Sequence, residues 1–282
     1  MGKNVSKLTL LGDRIASTDA ARGAPVTARS LAALALALAC AACSKPAPSF
    51  EEVEPADVLY QKGLATLAGG SWLGLVPSVD TEEAVDTFQS IIDNYPYSEY
   101  AVLAELRIAD AYFDDAKYEE ALAYYRDFAD LHPQHEMVPY TIYRAALCHE
   151  RRMRSSDRDQ TPTRDALLFL DRLLSQYPYS EYAPEAEALW RSLRTRLAEH
   201  IREVADFYMA RDEWESAAER YRTLLNEYPG LGLDAEALYR LGLCYLRMNR
   251  ESEAEGIFQA VVQNYQDSDV ARDAEDRIAG LH

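Results

Sequence analysis

Five segments of the chain share one spacing of apolar positions: a small residue, a bulky one four later, an apolar one three further, and a turn five residues beyond. Ala84, Phe88 and Ile91 precede Pro96; Ala121, Tyr125 and Phe128 precede Pro133; Ala166, Leu170 and Leu173 precede Pro178. Ala217, Tyr221 and Leu224 then precede Pro229, and Ala254, Phe258 and Val261 precede Gln266. Steps of four and three place these residues on one face of a helix. An upstream helix keeps its own pattern in segments two, four and five, with Ala109 and Tyr112, Ala205 and Tyr208, Gly242 and Tyr245. The turns fall 37, 45, 51 and 37 residues apart, and Tyr95 to Ala101 returns letter for letter at Tyr177 to Ala183. A period of this size predicts stacked supersecondary units, here an all-α solenoid of five helix pairs over residues 56–282.

The paired small and aromatic positions resemble the tetratricopeptide repeat, in which small residues let two antiparallel helices approach while an aromatic side chain fills the gap. The elements follow in order. A helix is predicted over Ala56 to Leu67, and Asp80 with Glu83 reads as a capping box opening Thr81 to Asn94. Repeat three is longer than its neighbours by the run Arg151 to Gln160, after which Thr161 reads as an N-cap and Pro162 as the first helical residue. In repeat four Pro184 opens a helix that can run to about Met209, and a last helix, Val270 to Leu281, is expected to cap the array. The loop Gly69 to Pro77 carries Trp72, Leu73, Leu75 and Val76, too apolar for idle exposure. It either caps the open end of the array or docks on lipid or a partner.

Ahead of the repeats the composition changes. Residues 1–25 show no pattern, but Arg29 followed by the Ala/Leu run to Ala42 has the makeup of a secretory signal and is too short for a membrane span. A basic residue so far from the first methionine suggests initiation near Val26. Ala41-Ala42-Cys43 resembles the end of a bacterial lipoprotein signal, with Cys43 the residue to be acylated. Ala37-Leu38-Ala39-Cys40 is a rival site, and Cys43 is preferred because polar Ser44-Lys45-Pro46 follows it. The expected organisation is therefore a signal over 1–42, an acylated cysteine and flexible tether over 43–55, and the repeats. More than one acyl chain is needed for stable anchoring, and such a signal implies a multiply acylated cysteine facing the periplasm. Ser44 after the cysteine favours the outer membrane.

The whole chain has 29 Lys and Arg against 47 Asp and Glu. Residues 1–42 hold five of the former and two of the latter, so the rest of the chain, with 24 against 45, is more acidic still. Such a charge repels phosphate backbones, which excludes nucleic acid as a partner. No catalytic motif is present, so no enzyme is expected. His135-Glu136 and His149-Glu150 lack the second histidine of a helical zinc pair. Asp157-Arg158-Asp159 opens like a calcium loop, yet Pro162 stands where the loop needs glycine. No metal or cofactor site is expected. Cys148 and Cys244 fall at one place in two different repeats, too far apart to bridge, and read as buried free thiols.

Function then rests on the concave face lined by the first helix of each repeat. In the N-terminal half this gives Tyr60, Leu64, Leu67, Leu103, Leu106, Phe113, Tyr140, Tyr143 and Leu147, an apolar and aromatic lining that suits an extended peptide held in pockets. Some of these residues could instead pack between repeats. Further along, Glu199, Arg202, Asp206, Tyr239 and Arg247 make the lining more polar.

Ser156-Asp157-Arg158-Asp159-Gln160, the helix ending Leu173-Leu174-Ser175-Gln176-Tyr177-Pro178, and Arg211, Trp214 and Arg220 ahead of Leu224-Leu225 and Tyr228-Pro229 together resemble the BamD family. The likeness spans roughly residues 55–265, while the Trp72 loop and the non-leucine lipobox depart from it. Membership implies a lipid-anchored, non-enzymatic part of the machinery that inserts β-barrel proteins into the outer membrane. The substrate half would be 56–150, associated with the aromatic C-terminal signals of unfolded barrel proteins. The half from 160 to 282 would dock on the periplasmic domains of a BamA-like barrel protein, with Arg220 at the contact and Asp157, Arg158 and Asp159 beside it. A rival reading is another envelope repeat lipoprotein, such as a Tol-Pal coordinator or secretin pilotin.

Overall fold

The computed structural model describes residues 53–69, 80–155 and 158–281. Among these, every regular element is a helix. In chain order they are α1 (Ala56–Leu67), α2 (Thr81–Asn94), α3 (Glu99–Asp114), α4 (Tyr118–Leu131), α5 (Val138–Arg151), α6 (Thr161–Gln176), α7 (Ala183–Met209), α8 (Trp214–Glu227), α9 (Asp234–Arg247), α10 (Glu251–Asn264) and α11 (Asp269–Ala279). Each packs on the next, giving five antiparallel pairs and a terminal helix on α10. The expected all-α solenoid is the observed architecture. Cys43, Cys40, the Trp72 loop and Asp157 lie outside the described residues.

The repeated triplet is the core. Phe88, Ile91, Tyr125, Phe128, Leu170, Leu173, Tyr221, Leu224, Phe258 and Val261 are all buried. Burial of one such side chain contributes ~1.5–3 kcal/mol. The opposing residue on the first helix is glycine where the ring is phenylalanine in repeats one and five. A methyl added at Gly63 would lie 2.7 Å from the Phe88 ring, and one at Gly242 would lie 2.6 Å from Phe258. Where tyrosine or leucine takes the ring position, the first helix instead carries Ala109, Ala146 or Ala205, each buried.

The turn inside repeats two, four and five also repeats. Ala116, Asp212 and Asn249 all sit at φ near +60°. Lys117 N–H reaches back to Tyr112 O at 2.9 Å, and Glu213 and Arg250 bond Tyr208 and Tyr245 in the same way at 3.0 and 2.9 Å. These are Schellman closures, which satisfy the last carbonyls of the first helix. At the start of α2 the Asp80 half of the expected capping box is present, Asp80 Oδ1 accepting the Glu83 N–H at 3.0 Å.

Before α6 the N-cap is Gln160, not the expected Thr161, and it makes no side-chain cap bond. Helix α6 already includes Thr161, and it is Asp159 that accepts from the Thr161 N–H and hydroxyl, at 3.0 and 2.7 Å. Gln160 is buried beside it and its amide oxygen accepts from Thr163, so the insertion is pinned from inside. Pro184 near the start of α7 opens a helix of 27 residues. Its first half packs into the core of α6 through Ala183, Ala186 and Leu193, and its second half into that of α8 and α9 through Ala205.

Candidate binding groove

Helices α3 and α5 bring part of the expected lining together, while Tyr60, Leu64 and Leu67 of α1 do not border the cavity. Leu103, Leu106 and Tyr140 border a cavity of about 400 Å³ with Arg107, Asp110, His135 and Met137. Leu106 and Tyr60 are themselves buried. Tyr60 packs against Phe88 and Tyr100 with ring centroids 5.7 and 5.6 Å apart. Leu64 and Leu67 pack at the margin of the same core. Phe113 has an Arg144 guanidinium 3.8 Å above its ring, and Tyr143 stacks on Tyr182 at 6.0 Å. Leu147 is half-buried.

The floor of this groove is ionic, which the apolar pattern did not anticipate. Asp110 Oδ1 accepts hydroxyl bonds from Tyr125 at 2.7 Å and from Tyr140 at 2.6 Å. The Arg144 guanidinium lies 3.8 Å from the same oxygen, and its Nε donates to the Tyr125 hydroxyl at 2.9 Å. Arg107 reaches Asp110 Oδ2 at 3.5 Å and donates from Nε to the Tyr60 hydroxyl at 3.0 Å. Burial, with the Asp110 charge beside them, pushes the Tyr125 and Tyr140 hydroxyls well above the usual phenol range, so both remain donors.

The arrangement recurs. Adding 96 to Asp110, Tyr125, Arg144 and Cys148 gives Asp206, Tyr221, Arg240 and Cys244. Tyr221 donates to Asp206, and Arg202 pairs with Asp206 at 3.3 Å. Here Glu236 stands at the place of Tyr140, and Arg240 bonds it at 2.6 Å. The 96-residue offset and the tyrosines among phenylalanines and leucines were the available signals in the sequence. Both cysteines are buried free thiols, pushed up by burial to about 12 and about 11.

Of the other residues on this half, Tyr239 is buried against Phe258, Arg247 lies 4.8 Å over the Trp214 ring, and Glu199 is exposed. Arg220 is exposed on α8, and Arg158 and Asp159 are exposed before α6. Among the described residues no helix is long and apolar enough to cross a membrane, and no cluster of metal-ligating side chains is present.

A protein-family model described as YfiO, outer membrane lipoprotein, matches residues 54–257. Outer membrane protein assembly factor BamD of Vibrio cholerae serotype O1 is 29% identical over 234 residues, covering 77% of this chain and 92% of that protein. The protein of the same name from Caulobacter vibrioides is 28% identical over 230 residues, covering 80% of this chain and 72% of that protein. Among solved structures, the TPR2AB domain–pHSP90 complex of yeast Sti1 aligns at a TM-score of 0.40 and 13% identity, covering 80% of this chain and 82% of that one.

Proposed function

The chain belongs to the YfiO outer membrane lipoprotein family, and from that premise we propose that it is an outer-membrane protein assembly factor working as a non-enzymatic scaffold. The carrying observation is the extent of the family match, which runs from the start of α1 into α10 and so takes in both halves of the array. In this reading Cys43 carries the lipid anchor and holds the repeats at the periplasmic face of the outer membrane. The groove over α1, α3 and α5 receives the aromatic terminal segments of unfolded barrel proteins. The cavity floored by Asp110 and walled by Leu103, Leu106 and Tyr140 supports that role, because it offers an apolar wall beside fixed charges.

The second half docks on a BamA-like barrel protein through exposed Arg220, with Arg158 and Asp159 alongside and Asp157 in the same run. Holding substrate and insertion machinery on one rigid array raises their effective concentration. The test is to solubilise the envelope, retrieve a tagged chain, and identify what accompanies it. Recovery of a BamA-like protein with the native chain, and its loss with Arg220→Glu, is the expected result. Recovery of a Tol-Pal or secretin component without any BamA-like protein would overturn the reading.

A further inference from the structure

Two identical strings in this chain fold differently. In the first copy Ser98 caps α3, its Oγ accepting the Tyr100 N–H at 3.2 Å, and the helix begins at Glu99. In the second copy Pro184 is fixed near the start of α7, which begins at Ala183, two residues later in register. Ser180 therefore caps nothing, and its Oγ is buried with no hydrogen-bond partner. Tyr182 turns inward between Tyr140 and Tyr143. Like its counterpart Tyr97 in the first copy, Tyr179 stands outside, 99% exposed.

A cleft lies on each side of that ring. The larger, about 840 Å³, has Leu174, Pro184 and Trp190 as apolar walls and the carboxylates of Asp171 and Glu187 within it. The smaller, about 370 Å³, has Pro139 and Tyr182 as walls with Glu136 and Glu181 at the rim. Among the described residues no Lys, Arg or His lines either cleft. Trp190 Nε1 donates to Asp171 at 2.7 Å, a neutral donor that leaves the carboxylate charge in place. Glu187 pairs with Arg191 at 3.0 Å, but both side chains are more than half exposed, so water and a ligand compete readily. Arg194 is occupied behind the site, over the Trp190 ring and bonded to the Glu227 carbonyl.

We propose that Tyr179 and its two clefts bind an extended peptide segment carrying two apolar side chains two residues apart and an adjoining lysine or arginine. In an extended chain, side chains i and i+2 leave the same face ~7 Å apart. That span matches a ring with one ~3.5 Å van der Waals contact on each side. Four carboxylates without a lining cation select a basic segment and repel an anionic lipid surface.

The probes are two fluorescent heptapeptides, Ser-Lys-Leu-Ser-Leu-Lys-Ser and its counterpart with glutamate for lysine, titrated against the full chain in detergent by anisotropy. The lysine peptide should bind at least tenfold more tightly than the glutamate peptide. Tyr179→Ala, and separately Asp171→Asn with Glu187→Gln, should each weaken it at least tenfold. Arg107→Ala in the groove cavity should leave it unchanged, as should Asp86→Asn with Glu120→Gln, which removes two exposed charges elsewhere. Equal binding of both peptides, no binding of either, indifference to Tyr179→Ala, or equal loss with the distant pair would each overturn the proposal. Tyr179 supports no packing in the fold, so its removal does not endanger folding.

Discussion

Tyr125 on α4 donates its hydroxyl to Asp110 on α3 at 2.7 Å, and fifteen residues again separate Tyr221 from the Asp206 that accepts from it. Each bond ties the two helices of one repeat at the spot where an arginine from the next repeat, Arg144 or Arg240, also arrives.

Asp110 therefore holds more than its own helix. Removing it takes the acceptor from one buried and one half-buried phenol and from a partly buried guanidinium, whereas Tyr125→Phe removes the bond to Asp110 and the one from Arg144 but keeps the ring. A hydrogen bond to a charged group contributes ~1.5–3 kcal/mol, and loss of the shared acceptor costs more, about 2–4 kcal/mol given the residual exposure of the Asp110 carboxylate. Urea denaturation followed by circular dichroism should rank native above Tyr125→Phe above Asp110→Ala. A double variant no worse than Asp110→Ala alone is expected, because both changes act on one network. Additive losses would contradict it.

Much of the fold was legible because a helix face repeats every three to four residues whatever its neighbours do. The triplets, the long α7 opened by Pro184, and the Asp80 cap all follow from such local rules. The groove floor was not legible, because Tyr125 and Phe88 satisfy the same apolar pattern and differ in one oxygen whose acceptor sits in another helix. The cap before α6 was misplaced for a related reason: Thr161 and Asp159 both carry a capping oxygen, and backbone position decides between them. Ser98 and Ser180 make the point within identical strings, since the residue that separates their structures, Pro184, lies beyond the repeated letters.

Gly242→Ala sets two effects against each other. Alanine gains ~1 kcal/mol of helix propensity over glycine, but its methyl would meet the Phe258 ring at 2.6 Å. Overpacking of a tight core costs ~1–3 kcal/mol, so net destabilisation is expected. Phe258→Leu, which copies the Ala146–Leu170 arrangement of repeat three, should restore part of the loss when combined with Gly242→Ala. If the alanine variant proved more stable by thermal and urea unfolding, the steric account of this pair would fail.

Ala116 holds φ of 58° at the Schellman position that Asp212 and Asn249 fill in the later repeats. A left-handed backbone costs an alanine ~1–2 kcal/mol, while glycine there adds ~0.5–1 kcal/mol of unfolded-chain entropy to be lost. The first exceeds the second, so Ala116→Gly should raise stability by about 0.5 kcal/mol. Asp212→Ala should move the urea midpoint the other way. Matching shifts of one sign for both variants would show that conformation is not the controlling factor.

His149 gives the fold an acid limb. Its ring is buried, stacks on Phe169 at 5.5 Å, and leaves Nδ1 without a hydrogen-bond partner. Asp165 Oδ2 is 3.8 Å away, too far to bond. Burial holds the imidazole below its ordinary value of 6.5; Asp165 opposes the shift and Arg152 adds to it. The unfolded chain therefore takes up this proton first. Stability is complete above 6.5 and declines as pH falls from there to the lower folded value, at up to ~1.4 kcal/mol per pH unit. His149→Phe keeps a ring against Phe169 and removes the titration, so its urea midpoint should change less between about pH 7.5 and 5 than that of the native chain. Equal slopes for the two proteins would place the acid sensitivity on the carboxylates instead, whose ordinary titration lies lower, at about pH 4.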